Sequence, residues 1–211
     1  MKDVDTQILR QIIRQELGKV ATAELGIVQE QHPADPDNYA CTIRLRDSGI
    51  VLAKVPVAVS RIGAAAIPPI GGLVLVQFIG GDINAPVITG SLYNEEDRPP
   101  ENADGEVVWN LPNDAGEGDA LRLTARSVDA KSVHLAVGGA LEVTLQDDDP
   151  VVVLDVGGNA SITVASDGQV TIESSRGLEV KSNEIAISGD GNVEISAGGE
   201  LKLQGSIINL N

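Results

Sequence analysis

Two histidines, one cysteine and a run of three aspartates are the side chains of this sequence with chemistry to offer. His32 lies in the turn-rich stretch His32-Pro33-Ala34-Asp35-Pro36-Asp37-Asn38, and His134 stands between Val133 and Leu135. If those two neighbours face inward on a strand, His134 faces outward. Neither histidine can be joined to a nucleophile and an acid in a Ser/His/Asp or Cys/His arrangement. Cys41 alternates with its neighbours in Tyr39-Ala40-Cys41-Thr42-Ile43-Arg44-Leu45, the setting of a small strand residue rather than a nucleophile. As the only cysteine it can form no intrachain disulfide, which fits folding in a reducing compartment. Asp147-Asp148-Asp149 before Pro150 has the composition of a solvated turn and lacks the spaced Asp/Asn and Gly pattern of a calcium loop. The sequence therefore predicts no catalytic residue, no metal site and no cofactor.

Composition narrows the partners. The formal charge is −16, with 15 acidic against 9 basic residues in 1–110 and 16 against 6 in 111–211. Such a surface repels phosphate backbones and anionic lipid head groups, so nucleic-acid binding and electrostatic membrane attachment are both disfavoured. Tyr39, Phe78, Tyr93 and Trp109 are the only aromatics, too few for base-stacking platforms, so any core must be built from Val, Ile, Leu and Ala. No signal peptide and no run of 18 apolar residues is seen, so the chain is expected to be made in the cytoplasm. If it acts outside the cell, a larger particle must carry it.

The elements that hold these residues change character along the chain. Asp5 to Leu17 carry apolar residues at Ile8, Leu9, Ile12, Ile13 and Leu17, the spacing of an amphipathic helix ended by Gly18. That face could fold back on its own domain, dock on a partner or make a trimer contact. Five strands are predicted next, at Ala23 to Gln29, Ala40 to Arg46, Val51 to Val59, Leu73 to Phe78 and Val87 to Leu92. Five strands with little helix suggest a small closed barrel of the OB type. Glu95 to Gly105 is polar and rich in Pro and Gly, as a linker would be. Irregular strands follow from Trp109 to Val137, with inward candidates Leu121, Leu123, Val133, Leu135 and Val137.

The last third is a repeat. Apolar pairs two residues apart recur as Ile162/Val164, Val170/Ile172, Leu178/Val180, Ile185/Ile187, Val193/Ile195, Leu201/Leu203 and Ile208/Leu210, with gaps of 8, 8, 7, 8, 8 and 7 between first members. Each pair puts two side chains on one face of a short strand, and Gly, Asn, Asp or Ser turns follow. One such strand buries too little apolar surface to offset the ordering of its chain, so the repeat needs partners. A single-chain solenoid or three chains about a common axis would both supply them. The period alone does not decide. About seventy residues would make only some three solenoid coils, near the minimum for a stable stack, which favours the trimer.

The segment from Pro69-Ile70-Gly71-Gly72-Leu73 through Gly80-Gly81-Asp82 to Pro86-Val87-Ile88-Thr89-Gly90-Ser91-Leu92-Tyr93-Asn94 resembles the OB-fold of phage baseplate assembly protein V and VgrG spike proteins, and Gly26-Ile27-Val28 resembles their first strand. Gly71-Gly72 gives a tight approach to the strand from Leu73, Gly80-Gly81-Asp82 a turn needing positive φ, Pro86 a strand start that donates no ladder bond, and Gly90 room for close backbone approach. At Arg61-Ile62-Gly63-Ala64-Ala65-Ala66-Ile67-Pro68 this chain carries alanines where many relatives carry aromatics.

The resemblance implies an all-β protein with an N-terminal helix (1–21), an OB-fold domain (22–94), a linker (95–110) and a C-terminal intertwined trimeric β-helix, or β-prism, of octad repeats (111–211). Ile162, Val164, Val170, Ile172, Leu178, Val180, Ile185, Ile187, Val193, Ile195, Leu201 and Leu203 would form the trimer core. The implied role is a homotrimeric central spike in a virion tail or injection particle. A hub or tube-initiator protein would dock at the OB end, on Ile8, Leu9, Ile12, Ile13 and Leu17. Relatives that end in a His-x-His iron site carry their own metal tip. With no histidine after His134, this chain is expected instead to seat a separate PAAR-type tip protein on Ser206, Ile207, Ile208, Asn209, Leu210 and Asn211. Contact with a target membrane would be transient. The absence of large hub domains before the OB-fold points to a phage tail or extracellular injection system rather than a type VI device. Two other functions remain as alternatives: a polysaccharide-degrading β-helix enzyme, which would need an aromatic or carboxylate-lined groove, and an OB-fold oligonucleotide binder.

Overall fold

In the computed structural model, the described residues are 22–209 apart from 35, 37 and 117. The expected helix over Asp5 to Leu17, with the proposed hub contacts Ile8, Leu9, Ile12, Ile13 and Leu17, lies outside them, as do Leu210 and Asn211.

Alternating Val, Ile and Leu between Ala23 and Leu92 form five strands, β1 (Ala23–His32), β2 (Ala40–Leu45), β3 (Val51–Pro56), β4 (Leu73–Phe78) and β5 (Pro86–Leu92). They pair in the order β3-β2-β1-β4-β5, every ladder antiparallel. A parallel bridge between Val57 and Ile88 joins the two outer strands, with the Ala58 N–H donating to the Ile88 carbonyl at 2.8 Å. The sheet thereby closes into the five-stranded OB barrel, and closure removes the exposed edges that an open sheet would present. Register shifts at Val28/Glu30, Cys41/Ile43 and Leu75/Val76 are bulges, which bend strands enough to close so small a barrel.

The interior is filled by Val28, Ile43, Leu45, Val55, Val74, Val76 and Ile88, with Cys41 and Phe78 among them. Phe78 is the only aromatic in this cluster.

Several local expectations change. β1 runs on to His32, because Gln31 and His32 pair with Cys41 and Ala40 across the sheet, so His32 is a strand residue and not part of the Pro/Asp loop. Gly80 and Gly81 do take positive φ, at 65° and 80°. Gly90 does not mark a close approach, since a Cβ there would meet nothing within 4 Å; it sits beside the β4–β5 bulge instead. The close approach is at Gly72, where a Cβ would stand 2.9 Å from the Pro69 carbonyl oxygen.

A second sheet starts at Glu106, inside the stretch 95–110 read as linker. Its strands are β6 (Glu106–Leu111), β7 (Leu121–Arg126), β8 (Ser132–Val137), β9 (Leu141–Gln146), β10 (Val152–Val156), β11 (Ala160–Val164) and β12 (Val170–Ser174). They form a meander, each strand paired with its sequence neighbour. Turns with positive φ at Asp129, Gly138, Gly157, Gly158 and Gly168 make four of the six reversals, β7–β8, β8–β9, β10–β11 and β11–β12. The first octad pairs, Ile162/Val164 and Val170/Ile172, therefore lie in β11 and β12 and pair within one chain.

The chain divides after Glu173 into two compact units. In the second, no strand forms among the described residues from 175 to 209, and the octad pairs there are exposed.

Candidate interaction face

Strand register sorts the second sheet into two unlike faces. Across the ladder, Leu111 stands opposite Leu121, Leu121 opposite Val137 and Val137 opposite Leu141. Trp109, Leu123, Leu135, Val143, Leu154 and Ile162 make a second row, and Val107, Ala125, Val133, Leu145, Val152 and Val164 a third. A bond from the Ala165 N–H to the Gln169 carbonyl at 2.8 Å closes the β11–β12 turn and sets Val170 opposite Val164. Because side chains alternate along a strand, all these residues share one face, and every one of them is apolar.

The opposite face is mostly polar, carrying Glu106, Asn110, Arg122, Thr124, Arg126, Ser132, His134, Glu142, Thr144, Asp155, Ser161 and Thr163, with the apolar Val108, Ala136 and Val153 among them. His134 is thus on the polar side, away from Val133 and Leu135, with its Nε2 3.6 Å from a Glu142 carboxylate oxygen. Arg126 clamps Glu106 with Nε and Nη2 both 2.6 Å from one carboxylate oxygen. The Ala103 N–H also donates to Glu106, and these bonds hold its carboxyl below the usual carboxylate range.

Among the described residues, much of the apolar face is left exposed. Trp109 is 53% exposed, Leu111 59%, Val133 41%, Leu145 48% and Ile172 54%. Summed with Val107, Leu121, Val137, Val156, Ile162 and Val170, the face exposes on the order of 1,000 Å², above the roughly 800 Å² per partner of a standard stable interface. An apolar patch of that size on a chain in water calls for a partner. The octad pairs from Leu178 to Leu203 continue the pattern, all strongly exposed. Of the six proposed tip contacts, Ser206, Ile207, Ile208 and Asn209 are exposed, and Leu210 and Asn211 are not described.

The side chains with chemistry are dispersed. The His32 Nε2 is 2.9 Å from the Thr42 hydroxyl and 3.7 Å from a Glu30 carboxylate oxygen. Cys41 is fully buried in the barrel, and burial pushes its thiol up. The aspartate run pins neighbouring turns: the Lys131 N–H donates to Asp147 and the Ser166 N–H to Asp149, each at 2.6 Å. The bond from Ser166 holds the Asp149 carboxyl below its ordinary range. Nothing in the sequence marked this bracing role, because the partner turns lie 16 and 17 residues away. Among the described residues, no three His, Cys, Asp or Glu side chains gather as a metal would need, and no helix is long and apolar enough to cross a membrane.

Residues 45–93 match the family described as the type VI secretion system/phage-baseplate injector OB domain. The match begins at the last residue of β2 and ends one residue past β5, within the closed barrel. It supports the likeness to the baseplate assembly protein V and VgrG spikes, and the family it names is a baseplate and injector component rather than an enzyme family. No curated protein matches the chain.

Proposed function

We propose that three copies of this chain form the central spike of a contractile injection machine, a phage tail baseplate or an extracellular injection system. The barrels sit at the hub or tube end, and the octad segment forms a shaft that seats a PAAR-type tip protein. The observation that carries this reading is the uninterrupted apolar face from Val107 to Ile172, joined in sequence to a barrel of the injector family. Three copies facing a common axis would bury it, and the exposed pairs from Leu178 to Leu203 would extend the same core along the shaft. The polar faces would then form an acidic outer surface.

A spike transmits force rather than performing a reaction, and the distribution of chemistry fits that use. The apolar face offers one aromatic, Trp109, and no carboxylate, so a sugar-cleaving pair of acids has no place there. Stacking aromatics for an oligonucleotide are equally lacking.

The test is the mass of the purified protein in solution, with and without residues 107–211. A trimer at full length that reverts to a monomer on truncation is the expected result. A monomeric full-length chain at all concentrations would sink the spike reading.

A further inference from the structure

The barrel is closed by one short join. β1 pairs with β2 and β4, β2 with β3, and β4 with β5 along extended ladders, whereas β3 and β5 are joined by the isolated parallel bridge of Val57 with Ile88. The Ala58 N–H donates to the Ile88 carbonyl there at 2.8 Å, and the Val57 N–H donates to the Tyr39 carbonyl at 3.1 Å. Pro56, the last residue of β3, has no N–H to add to this join.

Strain gathers beside the same join. Among the described residues, four that are not glycine take positive φ, a conformation that L residues rarely adopt, and three of them are Asn38 (50°), Tyr39 (65°) and Lys54 (53°). Tyr39 leads into β2 at Ala40, which pairs with Pro56, and Lys54 sits in β3 where the register with β2 shifts between Cys41 and Ile43. The Tyr39 hydroxyl is also buried without a hydrogen-bond partner in the protein, the one such side-chain atom among the described residues. An unpaired buried hydroxyl and a backbone held in a sparsely populated region both raise the energy of the closed form, and such features cluster where a segment changes conformation.

We infer that the barrel opens at the β3–β5 seam, with Tyr39 as the latch. In the closed form the Tyr39 carbonyl holds Val57 beside Ile88 while its own hydroxyl goes unpaired. Parting Val57 from Ile88 lets that hydroxyl reach water and relaxes the turn, so the cost of opening is partly offset by what it releases. The ladders of β1 with β2 and β4 stay paired. Opening also frees the backbone edges of β3 and β5, which closure otherwise withholds from strand addition. The device lies within one barrel and does not depend on the trimer.

Amide hydrogen exchange in the full-length protein tests the latch. Val57 and Ala58 should exchange together, roughly tenfold or more faster than the paired amides of β1 and β4 once intrinsic rates are allowed for, because they open without the rest of the barrel. Tyr39→Phe keeps the ring and removes the hydroxyl. It should raise the melting temperature and slow Val57 and Ala58 by the same factor as amides that exchange through global unfolding. If Val57 and Ala58 exchange no faster than β1 and β4, the seam does not open on its own and the proposal is overturned. If Tyr39→Phe slows the global amides but leaves Val57 and Ala58 unchanged, the seam opens without Tyr39, which is then no latch. A lowered or unaltered melting temperature would mean that the hydroxyl is already satisfied, by an internal water for example, and would equally overturn it.

Discussion

Glu106 shows how a single carboxylate can tie the segment before β6 to β7 of the second sheet. The Ala103 N–H and then Arg126 favour its ionised form, so its folded pKa lies below the ordinary 4.5. With the folded pKa depressed, the stabilisation it gives is complete above the ordinary value and is lost as pH falls through the folded one. Glu106→Gln should therefore lower the melting temperature at neutral pH, and the difference from the native chain should vanish as the pH is taken well below 4.5. A constant difference down to strong acid would disprove the linkage. In the core, Ile43→Ala removes three carbons from a site with no solvent exposure and should cost roughly 2–5 kcal/mol, read by denaturant unfolding. The barrel around these residues was largely legible in the sequence, because apolar alternation fixes which side chains face in. The bonds from Arg126 to Glu106 and from Ser166 to Asp149 were not, since they join residues 20 and 17 apart in the chain.

At the scale of elements, the turn between β4 and β5 takes a backbone conformation that glycine adopts cheaply. Gly80 has φ 65°, and a Cβ there would meet nothing within 4 Å, so a substitution is penalised for backbone conformation alone. Gly80→Ala should thus cost about 1–2 kcal/mol while leaving the β4–β5 register intact, as seen in amide exchange. A larger loss, or a shifted register, would mean that the turn does more than reverse the chain. The second sheet follows the same logic, its positive-φ turns converting a period of short strands into hairpins. The octad spacing predicts short strands; they form at the first two pairs, in β11 and β12, and not among the described residues from 175 to 209, and the spacing does not specify pairing, because the same alternation serves a strand bonded to its own chain or to another.

For the whole molecule, the exposed apolar face is what the proposed trimer would have to cover. Val133→Asp places a charge in the middle of the apolar face, and a threefold axis would bring three such charges together without partners. Trimers should be lost in sedimentation while the barrel still melts cooperatively, because Val133 touches none of the barrel core. Val180→Asp makes the same test on the shaft and should likewise abolish assembly. If both variants remain trimeric, the apolar face is covered by something other than its own copies.

By itself the sequence determined the barrel strands, the poverty of aromatics, the acidic charge and the spacing of the apolar pairs, all of which depend on residue type and local alternation. Only the tertiary structure decided that the first octads pair within the chain, that the linker region already contains β6, and that one whole face of the sheet is apolar. That face emerges from register across seven strands, which sets side chains up to 65 residues apart in one surface, and no local pattern specifies how successive strands align.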